Sequence, residues 1–117
     1  EIEPDPRFGK GSITFAGIDE KSRWGRVRTY GGKLVENITQ AVARDCLAEA
    51  ILRVEDKFPE AKIVLHVHDE IVADVPLSIP TDSAIERIVG LMAAPMPWAP
   101  ELPLDADAFA TPYYRAD

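Results

Sequence analysis

A long stretch without glycine or proline constrains the fold of this chain more than any other feature. It covers residues 33–58, and its composition favours an α-helix. At about 100° per residue its apolar side chains cover well over half of the helix circumference, and a helix this apolar packs on more than one side. The apolar positions are Val35, Ile38, Val42, Ala43, Cys46, Leu47, Ala50, Ile51, Val54 and Phe58. Pro59 is expected to end the helix.

A β-hairpin is predicted before this helix. Residues 13–17 and 26–30 are rich in β-prone side chains, and a short polar segment separates them. Because side chains alternate along a strand, Arg26 and Arg28 share one face of the second strand. The glycine pair at 31–32 is expected to end that strand.

A second hairpin and a second helix are predicted after the long helix. Residues 62–67 and 71–75 are apolar, β-branched runs, and residues 68–70 between them are expected to form the turn. Residues 81–83 are polar and are expected to cap a helix that ends near Met92. The proline-rich tail is expected to be irregular, with room for one short closing strand.

These elements predict an α+β fold, a small antiparallel sheet of two hairpins packed against the long helix and a shorter C-terminal helix. A chain of 117 residues is long enough for one compact domain that needs no disulfides. Residues 1–10 are polar and contain two prolines, so we expect a flexible lead-in there and one folded region over residues 11–117.

The composition narrows the functional classes. The single cysteine excludes an internal disulfide and a thiolate zinc cluster, and it favours a reducing compartment. No apolar run approaches the length of a bilayer span, so no membrane contact is expected. The formal net charge of −7 argues against a self-sufficient nucleic-acid binder. Residues 21–35 are basic within this acidic chain, since they carry five cations and no acid. A basic segment of this kind is typical either of contact with a phosphate backbone or of a solvated strand edge.

Chemistry is most strongly indicated at residues 66–70, which read His-Val-His-Asp-Glu. Adjacent carboxylates at a tight turn repel each other, so a cation, a proton or full solvation must relieve them. Three interpretations are open: solvated turn residues, a zinc site that combines His66 and His68 with carboxylates, and a clamp for Mg²⁺ or Mn²⁺ in phosphate chemistry. Two-metal phosphoryl transfer holds its ions roughly 4 Å apart, so that third interpretation needs a second carboxylate from another strand.

Two segments stand about twenty residues apart in the chain. Residues 29–45 are TYGGKLVENITQAVARD, and residues 65–72 are LHVHDEIV. Together they resemble the C-terminal palm region of phage-type family A DNA polymerases. The His-Asp-Glu triplet resembles motif C of that family, and the earlier segment resembles the palm helix that precedes it. The tail, with Trp98 and residues 113–115, is similar in character but less specific.

The resemblance implies a role for several residues. Asp69 would bind the catalytic Mg²⁺ (or Mn²⁺) ions near the primer 3′ end and the incoming nucleotide. Glu70 would assist that acidic site, and His68 would lie against the primer terminus. Gln40 and Asn37 would contact the minor groove of the new duplex through their side-chain amides, where the acceptors are nearly the same for every base pair.

The resemblance also shows which family features do not occur in this sequence. The first motif, with the other metal-binding aspartate, and the second, with the lysine and tyrosine of a fingers helix, have no counterpart. Since the chain also begins at Glu1 without an initiator methionine, we expect a fragment. We expect it to be inactive as an isolated DNA-directed DNA polymerase and to self-associate through surfaces that the rest of the enzyme would cover.

The implied partners are primer–template DNA, a deoxynucleoside triphosphate and the remainder of the polymerase, in the cytoplasm of a bacterial or phage-infected cell. In that setting Arg26 and Arg28 would contact DNA phosphates. Two other functions are open. One is a non-catalytic palm-like module kept for binding or assembly. The other is a small metal-dependent hydrolase that uses His66, His68 and Asp69 and binds zinc tightly.

Overall fold

The computed structural model describes residues 1–5 and 9–115 of the chain. Its elements follow in the order β1 (Ile2–Asp5), β2 (Lys10–Ile18), β3 (Trp24–Thr29), α1 (Gly31–Lys57), β4 (Lys62–Val67), β5 (Glu70–Asp74) and α2 (Thr81–Ala93). They fall into two compact units, Glu1–Ala41 and Val42–Asp117. The α+β class is confirmed, but the two predicted hairpins lie in separate antiparallel sheets, β1-β2-β3 and β4-β5, and not in one.

The first unit is built on the three-stranded sheet. Strand β2 lies between β1 and β3, with Ile13 opposite Thr29 and Thr14 opposite Arg28. Because side chains alternate, one face of this sheet is mainly apolar and the other is mainly polar. Phe15, on the apolar face, is 49% exposed. Ile13, on the same face, is 42% exposed, so large apolar side chains of this face are open to solvent in the described part of the unit.

Strand β1 lies inside the segment that the sequence predicts to be a flexible lead-in. Ile2–Asp5 pairs with β2, and Ile2 is opposite Ile13. Residues 6–8 of the same segment lie outside the described residues. Part of the lead-in thus has a regular backbone partner, while its flexibility stays a prediction.

The turn between β2 and β3 is organised by Asp19. Its Oδ1 accepts hydrogen bonds of 2.9 Å from the backbone N–H groups of Lys21 and Arg23. Its Oδ2 accepts one of 3.1 Å from the Arg23 guanidinium. These bonds, above all the one from the Arg23 backbone, hold the pKa of the Asp19 carboxyl below its ordinary value of 3.8. Ser22, with φ of 58°, completes the turn in the left-handed region.

Helix α1 begins two residues earlier than the sequence predicts. Gly31 and Gly32 were expected only to end the preceding strand, and instead they form the first two positions of the helix. Leu34 closes the first turn through a 3.1 Å bond from its N–H to the carbonyl of Tyr30. The helix ends at Lys57, close to the end that the following proline predicts.

The apolar surface of α1 is covered along only one stripe. Leu47, Ala50 and Val54 are buried, and their spacing of three and four residues places them on one face. Val35 and Ile38, in the first half of the helix, are 63% and 64% exposed. The expectation that this helix packs on more than one side is wrong for the described chain, because the buried side chains of α1 form one stripe in its C-terminal half.

A β-bulge sets which side chains of the second hairpin face its core. Ile63 is opposite Ala73, but Leu65 is opposite Val72, so Val64 is an extra residue in β4. The extra residue reverses the alternation along β4. Ile63 and Ala73 pack against the core, whereas Leu65 and Val72 lie on the other face. Simple alternation from the sequence would have placed Leu65 beside Ile63.

The core of the second unit joins α1, the hairpin and α2. Its fully or nearly buried members are Val54, Phe58, Ala61 and Ala84. The partly buried residues that pack against them are Ile63, Ile71, Ala73, Val75, Ile79, Ile88 and Leu91. Burial of these side chains supplies the main favourable free energy of this unit.

Helix α2 starts at Thr81 as predicted, but its N-cap residue is Pro80 and no side chain caps it. The prediction that residues 81–83 cap the helix is therefore wrong; the N–H of Ala84 bonds instead to the carbonyl of Pro80 at 3.0 Å. In the described tail, Met96 is buried and forms an isolated bridge with Ala99. None of the helices described here is long and apolar enough to cross a membrane.

Each helix of the second unit is held at its C-terminal end by an arginine of the other. Arg53 of α1 donates hydrogen bonds of 2.7 Å to the carbonyls of Ala94 and Pro95, directly after α2. Arg87 of α2 donates one of 3.0 Å to the carbonyl of Lys57, the last residue of α1. Helix ends leave these carbonyls without partners inside the helix, so the two arginines brace the helix pair reciprocally.

Candidate functional site

The His-Asp-Glu triplet lies at the end of the β4–β5 hairpin. Val67 pairs with Glu70, so the loop has two residues, His68 and Asp69, and not the three that the sequence predicts. His68 has φ of 53°. This left-handed conformation costs a non-glycine residue about 1–2 kcal/mol, and backbone strain of this kind concentrates at functional sites.

The carboxylates of Asp69 and Glu70 are exposed to solvent. In the part of the chain that the structure describes, neither has a hydrogen bond or an ion pair. Their mutual repulsion is therefore relieved by water alone. A bound cation would relieve it more strongly, and the accessible position of both groups leaves room for one.

The donor set of the loop discriminates between metals. Over residues 1–5 and 9–115, no three His, Cys, Asp or Glu side chains form a group that would hold a metal ion. His66 lies in β4 opposite Ile71, whereas His68 lies in the loop, so the two histidines of the zinc interpretation do not lie on one strand. Mg²⁺ needs fewer protein ligands, because it binds through one or two carboxylates, substrate phosphates and water. Asp69 and Glu70 fit that ion and not a closed zinc site.

The two predicted minor-groove residues lie on the exposed first half of α1. Asn37 and Gln40 are three positions apart, which places them on one helix face. Gln40 Nε2 donates a hydrogen bond of 3.3 Å to Glu36 Oε1. Both residues belong to the first unit, and the triplet belongs to the second. Their contact with DNA stays a prediction.

The predicted phosphate-binding arginines have partners inside the first unit. The Arg26 guanidinium forms ion pairs with Glu1 and Glu3, and it donates a hydrogen bond of 2.8 Å to the Thr14 hydroxyl. Arg28 also has an interaction partner. A DNA phosphate would have to compete with the two carboxylates for Arg26. The role of Arg26 in phosphate binding stays a prediction.

Sequence reasoning missed the arginines that brace the helices. Arg53 and Pro95 are 42 residues apart in the chain, and Arg87 and Lys57 are 30 apart. No local pattern connects such positions. Only the docking of α2 on α1 reveals that the two guanidinium groups complete helix ends.

The amino-acid sequence is similar to that of a known protein over the whole length of the chain. Over all 117 residues the chain is 48% identical to a region of the DNA polymerase of Bacillus phage SP02. The chain is similar to part of a phage DNA polymerase. It spans 17% of the length of that enzyme. No protein family model matches the chain, and no solved structure matches it.

Proposed function

We propose that this chain is the part of a DNA polymerase that presents a metal-binding carboxylate, Asp69, for template-directed nucleotidyl transfer. The observation that carries the proposal is the position of Asp69: exposed, without a protein partner, in a two-residue hairpin loop beside the strained His68. The similarity to a phage DNA polymerase supports the reaction class. The finer assignment is motif C in the palm of a family A enzyme.

Each residue of the loop has its own task in this proposal. Asp69 offers carboxylate oxygens to a hard divalent cation, and Glu70 adds negative charge next to it. When bound, Mg²⁺ neutralises phosphate charge and favours the ionised primer hydroxyl. His68 presents an exposed imidazole beside this site and contacts the primer terminus. The short loop keeps all three groups close together, because two residues leave little conformational freedom.

Contacts with the duplex are proposed for the first unit. Asn37 and Gln40 present amides from an exposed helix face, and amides suit the minor-groove acceptors that every base pair shares. Arg26 and Arg28 contact DNA phosphates, which requires Arg26 to exchange its carboxylate partners for the backbone. Primer–template DNA and a deoxynucleoside triphosphate are the corresponding partners, in the cytoplasm.

The remainder of the polymerase is the proposed protein partner. Large apolar side chains stay exposed on the first unit, among them Phe15, Val35 and Ile38 at 49%, 63% and 64%. Isolated soluble domains rarely expose so many together. A chain that matches 17% of a longer relative has further polymerase segments available to cover them.

A chimeric enzyme tests the proposal. The matching region of the phage SP02 polymerase is replaced by this chain, and primer extension is measured with Mg²⁺. The chimera should extend primers, and Asp69→Asn should lower its rate by about a thousandfold, or about 4 kcal/mol of transition-state stabilisation. The matched control is Asp74→Asn, which removes an exposed carboxylate at the other end of the same hairpin.

Three outcomes would count against the proposal. Equal rates for the parent chimera and Asp69→Asn would show that this carboxylate does not serve the reaction. Equal losses from Asp69→Asn and Asp74→Asn would show a general need for negative charge on the hairpin. A chimera that binds primer–template DNA but never extends it, with either residue at position 69, would favour the non-catalytic binding module.

A further inference from the structure

Strand β3 is an edge strand that pairs with β2 on one side and with no other strand of the described residues. The direction of its backbone groups follows from the bonds between Glu1 and Thr14. The Glu1 amino group donates to the Thr14 carbonyl at 3.0 Å, and the Thr14 N–H donates to the Glu1 carbonyl at 2.7 Å. Because such bonds alternate along antiparallel strands, the backbone N–H and C=O groups of Trp24, Arg26 and Arg28 point away from the sheet.

The opposite edge of the same sheet is less open to another strand. Pro4 of β1 lies opposite Gly11, and by the same alternation its backbone nitrogen points outward. Proline has no N–H group, and a proline at this position blunts an edge strand. Strand β3 contains no proline. An additional strand would therefore bind the sheet along β3 and not along β1.

The side chains of β3 define the sequence pattern of a matching strand. Arg26 and Arg28 share one face with Trp24, whereas Val27 lies on the other face. Residues directly opposite each other in an antiparallel pair lie on the same face, where opposite charges and aromatic side chains attract. A matching strand therefore has two acidic residues and an aromatic residue at alternate positions, with apolar residues between them.

Residues 104–109 of this chain read Leu-Asp-Ala-Asp-Ala-Phe and have this pattern. Asp105 and Asp107 are exposed, whereas Ala106 and Ala108 are half-buried, which is the alternation of an extended backbone. The N–H groups of the two alanines bond to the carboxylates of the preceding aspartates, at 2.9 and 2.8 Å. No bond to another backbone group forms in this described segment. The N–H groups of the two aspartates, on the opposite edge of the segment, are open to a partner.

We propose that residues 104–109 of one copy of this chain pair antiparallel with β3 of a second copy. In the register that satisfies the charges, Asp105 lies opposite Arg28 and Asp107 lies opposite Arg26. The open backbone groups of the two aspartates then face the outward groups of β3. Neither edge has a strand partner within one described copy, so a second molecule supplies it.

The same register also matches the uncharged side chains. Phe109, 45% exposed, lies opposite Trp24, 75% exposed, on the face of the charged pairs. Ala106 lies opposite Val27 on the apolar face of the sheet. One register thus satisfies charge, aromatic contact and backbone direction together. This inference does not rest on the proposed function.

Disulfide cross-linking between two different single-cysteine chains tests the register. Both full-length chains carry Cys46→Ser, and one carries Val27→Cys while the other carries Ala106→Cys. In the proposed pairing these two positions form a non-hydrogen-bonded pair with Cα atoms about 4.5 Å apart, which lies within the range of a disulfide. Oxidised glutathione should convert the mixture mainly to the mixed dimer, which mass spectrometry identifies.

The matched control changes only the position of the second cysteine. Asp107→Cys in place of Ala106→Cys puts the thiol on the other face of the strand, so its cross-link with Val27→Cys should form about tenfold more slowly. Equal rates would show random encounters and overturn the proposal. An internal disulfide in one dilute chain that carries both Val27→Cys and Ala106→Cys would overturn the assignment to a second copy.

Sedimentation velocity of the full 117-residue chain measures the association itself. The parent chain should associate as its concentration rises. Asp105→Asn combined with Asp107→Asn should weaken the association about threefold to tenfold. Glu101→Gln, an exposed change in the same tail, should leave it unchanged. A parent chain that stays monomeric at millimolar concentration, or equal weakening by Glu101→Gln, would overturn the proposal.

These measurements are independent of the polymerase assignment, since they involve neither Asp69 nor a metal ion. Specific cross-linking alongside an inactive chimera would support the strand pairing and count against the proposed function. An active chimera with a monomeric parent chain would do the opposite.

Discussion

Arg53 donates a hydrogen bond of 2.7 Å to the carbonyl oxygen of Pro95, 42 residues later in the chain. The same guanidinium donates at 2.7 Å to the carbonyl of Ala94 and pairs with Glu49 at 3.3 Å on its own helix. The accepting carbonyls follow the last turn of α2, where no intrahelical donor reaches them. One side chain thus fixes the end of α2, and the direction in which the tail leaves it, to the surface of α1.

Replacing Arg53 should therefore destabilise the second unit. Arg53→Met keeps most of the apolar stem but removes all the donors, and we expect a loss of about 2 kcal/mol in the free energy of unfolding. Urea denaturation measures it. Arg44→Met, an exposed arginine on the same helix, is the control and should change the midpoint very little. Similar losses of unfolding free energy in both variants would mean that the positive charge on the helix stabilises the unit and that the hydrogen bonds to the tail do not.

Arg87 should contribute through two interactions at once. It donates to the carbonyl of Lys57 at 3.0 Å, and its guanidinium lies 3.8 Å from the centre of the Phe58 ring. We expect Arg87→Gln to lower the free energy of unfolding by about 1–2 kcal/mol. Thermal unfolding with Glu86→Gln as the neighbouring control measures the difference. A stability for Arg87→Gln equal to that of the control would show that the exposed cation–ring contact and the cap contribute nothing.

The β2–β3 turn should weaken in acid because of Asp19. Its hydrogen bonds, first the one from the Arg23 backbone, lower the pKa of the carboxyl in the folded chain. A carboxyl with a depressed pKa stabilises the fold above its ordinary value of 3.8, and this contribution is lost as the pH falls through the lower folded value. An NMR titration should show Asp19 titrating below 3.8. Asp19→Asn should remove that pH dependence from the turn, and Glu20→Gln should not.

The helix and hairpin boundaries were largely predictable from local chemistry. Strand β4 occupies the predicted residues 62–67, and α1 ends beside Pro59, because periodicity and proline act within a few residues. The role of Gly31 and Gly32 was predicted wrongly, since glycine tolerates a first helical turn as well as a break. The bulge at Val64 was not predictable, because it depends on how the hairpin packs on its core.

In the candidate site too, features set by the local sequence were predicted and features set by tertiary packing were not. The chemistry of Asp69 and Glu70 is local, so the sequence identified the loop. The pairing of Arg26 with Glu1 and Glu3 depends on strand β1, which the sequence did not predict. Residue type identifies donors and acceptors, whereas their partners depend on tertiary structure.

His68 should be the one loop position where glycine is tolerated or favoured. A φ of 53° destabilises the folded state of a non-glycine residue by about 1–2 kcal/mol. Glycine avoids this strain, but its larger conformational freedom in the unfolded chain lowers the free energy of unfolding by about 0.5–1 kcal/mol. We expect His68→Gly to range from neutral to about 1 kcal/mol more stable in urea denaturation. His66→Gly, the same change inside β4, should be destabilising. A clear loss of stability in His68→Gly would show that the histidine side chain stabilises the loop.

The hairpin loop should bind a divalent cation weakly in the isolated chain. No three candidate ligands cluster among the described residues, so Asp69 and Glu70 would hold the ion with water completing its shell. Paramagnetic Mn²⁺ should broaden amide signals at residues 68–70 at millimolar concentration, and Asp69→Asn should abolish this while Asp74→Asn should not.

The isolated chain should also fail to extend a primer, since two-metal catalysis needs a second carboxylate. Primer extension that Asp69→Asn abolishes would refute this expectation, and tight binding of one zinc ion would favour the hydrolase.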